Sequence, residues 1–127
     1  MNGSGTEEAI TTIMLPERVD SATSASVEAM MVGALRPNGC VIVDGSAVTY
    51  MSAAGVRALA IVLHRAAELS ARIVFCSFSG PAADCLVVSG FSQLFDVADS
   101  TEQALSRLRP KLAGSRANRL QPYGTTG

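Results

Sequence analysis

Apolar and polar positions along the chain alternate between short continuous runs and three-and-four spacing. Ala9 to Leu15 (AITTIML) is rich in β-branched residues and reads as a strand, ended by Pro16. Glu17 to Asp20 reads as a turn. Asp20 or Ser21 then caps a helix from about Ala22 to Leu35, with Val27, Met30, Met31 and Leu35 on its buried face. Arg36-Pro37-Asn38-Gly39 stops it. Val41-Ile42-Val43 is an apolar run closed by Asp44 and Gly45, as in a buried strand. A turn through Val48 to Met51 leads to Ser52.

A long helix follows from Ala53 to about Ser70. Val56, Leu59, Ala60, Leu63 and Ala67 recur at helical spacing and form the expected core stripe. Arg57, His64, Arg65 and Glu68 fall mostly off it. Arg72 to Ser77 is the next strand, and Ser79-Gly80-Pro81 breaks the chain. Ala82 to Ser89 forms a short helix ended by Gly90. Leu94 to Val97 gives a last brief strand. Ser100 opens a final helix that buries Ala104, Leu105 and Leu108.

Strands alternating with helices at short spacing predict an α/β domain with a mixed, mostly parallel sheet of four to five strands and about four helices. Length adds a bound: 127 residues hold one domain. Its expected limits are residues 9–109, between a flexible N-terminus over 1–8 and a basic flexible tail over 110–127. Arg107, Arg109, Lys111, Arg116 and Arg119 are half of the Lys and Arg, and no acid follows Glu102. Such a tail can touch nucleic acid or an acidic surface, but its Gly, Ser, Asn and Pro content reads first as a solubilising end. Direct DNA binding is not expected.

Composition narrows the chemistry. Aromatics are 5% of the chain with no Trp, which argues against a base-stacking platform. No apolar run approaches a membrane span, and the N-terminus lacks a signal peptide's pattern, so a cytoplasmic address is expected. Cys40, Cys76 and Cys85 are odd in number and form no CxxC pair, which argues against a disulfide framework and a metal site. His64 is the only histidine, mid-helix beside Arg65, and reads as a surface residue. Asp20, Asp44 and Asp84 are placed as turn or cap residues. Glycine-rich phosphate loops are absent. No catalytic constellation assembles and no cofactor is implied, so the chain reads as a non-enzyme.

Function is expected around Ser52, where a strand end feeds a helix N-terminus. Ser52 has the N-cap position. Ala53, Ala54 and Gly55 have almost no side chain, so either a partner or a neighbouring loop of the same chain can approach the backbone there.

The run VIVDGSAVTYMSAAGVRAL resembles the signature of the STAS domain, the module of bacterial anti-sigma factor antagonists. That family shows an apolar strand ending in Asp, a valine–x–aromatic–apolar step, then Asp-Ser-Ser-Gly opening a helix. MLPERVDSATSASVEAM resembles the family's early strand, turn and first helix, and GPAADCLVVSGFSQLFDVADSTEQAL its closing segment. The match covers about Thr12 to Leu108, and its first strand is shorter than the family's N-terminal hairpin. The resemblance implies a domain that sequesters a kinase-type anti-sigma factor. In the family, phosphorylation of the first Ser of Asp-Ser-Ser-Gly ends that interaction and a phosphatase restores it. Position by position, the Asp falls on Ser52, the two Ser on Ala53 and Ala54, and the Gly on Gly55.

Ala53 has no hydroxyl, so the usual switch is lost. An unswitched binder, a switch moved to Ser52 or Thr49, and a different partner remain open. The partner surface implied is Asp20, Ser52, Ala53, Ala54, Gly55, Val56 and Arg57. On this reading a bulky residue at Gly55 abolishes binding and spares the fold. Two other readings are an accessory subunit of a transport ATPase and a redox sensor using Cys76 or Cys85 with His64.

Overall fold

The computed structural model describes residues 10–94 and 96–108. The expected flexible N-terminus and basic tail lie outside those residues. Four strands, β1 (Ile10–Met14), β3 (Cys40–Asp44), β5 (Arg72–Cys76) and β6 (Val97–Ala98), form one sheet in the order β1-β3-β5-β6. All three pairings are parallel, with Thr12 beside Ile42, Ile42 beside Val74 and Cys76 beside Ala98. Side chains alternate across a strand, so the apolar runs of β3 and β5 supply two faces. Val41, Val43, Ile73 and Phe75 join one buried cluster; Cys40, Ile42, Val74 and Cys76 join the other.

Helices α1 (Ser24–Ala34) and α2 (Ala53–Glu68) feed the first cluster through Val27, Met31, Leu59, Val62 and Ala66. Helix α5, over residues 101–108, closes the second with Ala104 and Leu108, both fully buried. Its start is capped as expected: Ser100 Oγ accepts from Gln103 N–H at 3.1 Å. A second, smaller ladder pairs β2 (Arg18–Val19) with β4 (Tyr50–Met51), also in parallel. Both segments read as turns from sequence, because two residues are too few for a strand periodicity to register.

Several boundaries move for local reasons. Helix α1 begins at Ser24 rather than Ala22, because Asp20 Oδ1 holds Ala22 N–H (3.0 Å) and Thr23 N–H (3.2 Å) in a turn ahead of it. Met30 is exposed rather than buried: it flanks Met14, Pro16, Ser26 and Val27 in a shallow groove of about 280 Å³. The seam of α2 is Gly55, Ala58, Leu59, Val62 and Ala66. Of the expected stripe only Leu59 is fully buried; Val56, Ala60 and Leu63 are half-buried and Ala67 is exposed. A helix this rich in Ala, Val and Leu satisfies either seam, and Gly55 decides between them because only a hydrogen fits where it faces.

Helix α3 (Gly80–Val88) starts two residues before the expected Ala82, since Pro81 lies in its first turn, where a missing N–H costs nothing. That places Asp84 inside the helix and exposed, not in a turn or cap. Gly90, at φ +82°, ends the segment in the left-handed conformation glycine allows. A four-residue helix, α4 (Phe91–Leu94), replaces the first part of the expected last strand. Ser89 Oγ accepts from Phe91 N–H at 3.3 Å and helps to restart that turn. The strand itself is Val97–Ala98, tied down where Asp96 Oδ2 takes Arg72 Nη2 (2.7 Å) and Nε (3.2 Å).

Candidate functional site

The site grows from the small ladder. In β2 and β4 the inward residues are Val19 and Met51, both buried, and the outward ones are Arg18 and Tyr50. The chain leaving β4 is fastened at once: Ser52 N–H donates to Val19 O at 3.0 Å. Ser52 sits extended (φ −111°, ψ 174°) at the N-cap of α2, and its Oγ accepts from Gly55 N–H at 3.4 Å. That cap bond is long, so Ser52 holds the helix start less firmly than the residue type allows.

Gly55 is buried against β2. A Cβ built on it would collide with the carbonyl oxygen of Val19 and stand 2.9 Å from both its carbonyl carbon and its Cγ1. The close approach that the small residues permit is therefore made, at Gly55, by the chain's own strand. A bulky Gly55 would push backbone against backbone, so the expectation that such a change spares the fold is corrected. The neighbours differ: Ala53 and Arg57 are exposed, while Ser52, Ala54 and Val56 are half-buried. The first turn of α2 carries no acid.

Beside this turn, Asp20 is fixed from several sides. Its Oδ1 accepts from Ala22 N–H, Thr23 N–H and the Thr23 hydroxyl (3.3 Å), and its Oδ2 takes Arg18 Nε at 3.1 Å. Its own N–H donates to Thr23 Oγ1 at 2.9 Å. Partial burial is the largest single influence on this carboxyl and acts to raise its pKa. The hydrogen bonds from Arg18, the Ala22 and Thr23 backbone and the Thr23 hydroxyl together outweigh it and hold the pKa below the usual carboxylate value. The Arg18 guanidinium also lies over the Tyr50 ring, with Cζ 4.5 Å from the centroid. Arg18 and Tyr50 are the residues of this surface that the sequence did not mark. The only signal was the alternation of outward Arg18 and Tyr50 with inward Val19 and Met51.

The other candidates lie elsewhere. Thr49 is exposed, and its hydroxyl donates to Glu17 O at 3.3 Å. His64 stands on the outer surface of α2 with 78% of its side chain exposed, 3.6 Å from Glu68. Cys76 is buried in the cluster on the far face of the sheet from α2, so the sheet separates it from His64. Cys85 is half-buried against the other cluster. Among the described residues no group of three His, Cys, Asp or Glu could hold a metal ion, and no helix is long and apolar enough to cross a membrane.

Comparison with known proteins agrees with this architecture. The chain is 26% identical over 95 residues to BtrV of Bordetella bronchiseptica, which is named as an anti-sigma factor antagonist; the match spans 74% of this chain and 82% of that one. The fold is similar to that of the anti-sigma factor antagonist SpoIIAA in its unphosphorylated form (TM-score 0.65, 18% identity, 80% of this chain and 90% of that one). It is also similar to a sulfate transporter family protein of Wolinella succinogenes (TM-score 0.72, 14% identity, 84% and 89%). The STAS domain family model matches residues 5–104. The chain with its parallel sheet, small ladder and glycine-seated helix thus belongs to the STAS domain family.

Proposed function

We propose that this STAS domain is a regulatory binding module of the anti-sigma factor antagonist type, and that its hold on a kinase-type anti-sigma factor is not released by phosphorylation at the family's usual position. Its docking surface is the start of α2, Ser52 to Arg57, together with the Asp20 turn. Within that surface Gly55 acts from inside: it seats the helix start on Val19 and leaves Ala53 and Arg57 exposed. The observation that carries the unswitched reading is Ala53, an exposed methyl group where the family places its phosphoacceptor. A phosphoester needs a hydroxyl, and Ala53 offers none to a kinase and leaves nothing for a phosphatase to remove. The likeness to BtrV supports the antagonist reading.

The test is titration calorimetry of the native chain against each purified kinase-type anti-sigma factor of the same cell, with and without ATP. Binding that persists in ATP is the expected result. Ala53→Ser should then become phosphorylated and lose affinity in ATP only. Phosphate found by mass spectrometry on native Ser52 or Thr49, with release, would move the switch rather than abolish it. No binding to any of them would sink the antagonist reading, and a transport ATPase subunit would become the next partner to try.

A further inference from the structure

We propose that Arg18 is the specificity-determining residue of this docking surface, held in place to receive the carboxylate of an Asp or Glu on the partner. The inference rests on the docking surface proposed above and names its chemistry. Arg18 is 60% exposed, yet three features fix it. It pairs with Tyr50 across the ladder, its Nε is tied to Asp20 Oδ2, and its Cζ lies over the Tyr50 ring. Asp20 is in turn immobilised by Thr23 and Ala22, with its side chain only 14% exposed. The Nε contact takes one edge of the guanidinium. Among the described residues neither Nη group of Arg18 has a hydrogen-bond acceptor, and the two form the fork that binds a carboxylate in bidentate fashion.

Stability does not account for this arrangement. An exposed Arg–Asp pair two residues apart contributes little to folding. An arginine already ordered over an aromatic ring, in contrast, loses little freedom when a partner arrives, which is the property of interface anchors. Arg18 also adjoins the helix start, since the carbonyl of its neighbour Val19 accepts from Ser52 N–H. Asp20 is the surface's acid and its charge is paired with Arg18; Arg57 adds a second exposed cation and the first turn of α2 carries no acid, so the balance of charge suits an acidic partner loop. Asp20, on this account, is a positioning residue: both of its carboxylate oxygens are engaged, by Arg18, Ala22 and Thr23, and it acts on the partner through Arg18.

The experiment uses the full chain and whichever kinase-type anti-sigma factor binds it. Arg18→Gln keeps a polar end on a shorter side chain without the guanidinium or its charge and should weaken binding at least tenfold, while the melting temperature changes little. Arg18→Lys, which lacks the fork, should recover only part of the loss. Asp20→Asn should weaken binding several-fold, and the Arg18→Gln/Asp20→Asn double variant no more than Arg18→Gln alone. Additive losses would overturn the positioning role. Arg18→Glu should be rescued by one Asp-to-Lys or Glu-to-Lys change on the partner. Binding by Arg18→Gln within twofold of native, or no rescue by any such change, would overturn the assignment and leave the docking surface standing. A native chain that binds none of these partners overturns the proposed function itself, and this inference with it.

Discussion

Two parallel ladders make this domain, and they are held together by different means. The large one, β1-β3-β5-β6, is fixed by side chains: Ile42, Val43, Val74, Phe75 and Cys76 are completely buried between helices on both faces. The small one, β2-β4, has two residues per strand and presents Arg18 and Tyr50 outward. What fixes it is largely backbone. Ser52 N–H meets Val19 O, Thr49 N–H meets Glu17 O at 2.8 Å, and Gly55 contributes the absence of a side chain. The first ladder sets the fold. The second holds the surface proposed for docking, and it depends on a few atoms.

The largest effect expected from a single change lies in the large ladder. Ile42→Ala empties a site enclosed by strands and by α5, and should cost about 4 kcal/mol in denaturant unfolding. Gly55→Ala adds one methyl group at the small ladder and should cost about 3 kcal/mol, near the upper end of ordinary overpacking, because the neighbour that must yield is backbone. The two losses should differ in kind. Gly55→Ala should speed amide exchange at Ser52, whose acceptor is Val19 O, and leave the amides of β3 and β5 protected. Uniform loss of protection in both variants would show that the ladders open together, and the contrast between them would fail.

That contrast also explains which parts were legible in the sequence. The β3 and β5 strands declared themselves as apolar runs, and the caps of α2 and α5 as Ser52 and Ser100. Burial on both faces needs no periodicity to be seen, only a continuous run between turn residues. The small ladder was hidden because its information is not in side-chain hydrophobicity. Val19 is a single apolar residue in a polar stretch, Met51 lies in a mixed one with no clear alternation, and their pairing joins segments some thirty residues apart in sequence. The seam of α2 is not legible for a related reason. Val56, Ala60 and Leu63 make a plausible stripe, and only the packing of Gly55 on Val19 turns the helix to its observed seam. Asp20 and the Ser52 turn are legible in the sequence as turn and cap residues, but the Arg18–Tyr50 contact that lies between them is not.

A smaller effect belongs to the cap between the ladder and α2. Ser52→Ala removes an acceptor that receives Gly55 N–H at 3.4 Å, near the limit of a hydrogen bond, so it should cost about 0.5–1 kcal/mol, the lower part of the range for such caps. A measured loss of about 2 kcal/mol would mean that Ser52 contributes more to seating the helix than the glycine contact implies.

The smallest expected effect is a dependence on acidity at Asp20. Its carboxyl is held below the ordinary aspartate value of 3.8, so the folded state favours the ionised form. The stabilisation that results is present above the unfolded pKa and is lost as pH falls through the lower, folded one. Asp20→Asn removes the charge and keeps a side-chain oxygen that can still accept from Ala22 and Thr23, so the variant reports on ionisation more than on the turn. The stability difference between native and Asp20→Asn proteins should therefore be steady near neutral pH and shrink once the pH drops below about 4. A difference that stayed constant down to pH 3 would show that Asp20 matters as an acceptor alone. Arg18 would then be held over Tyr50 by the ring rather than by the charge beside it. If the difference does shrink, the small ladder carries an electrostatic fastening on its exposed side, where the large sheet relies on buried carbon.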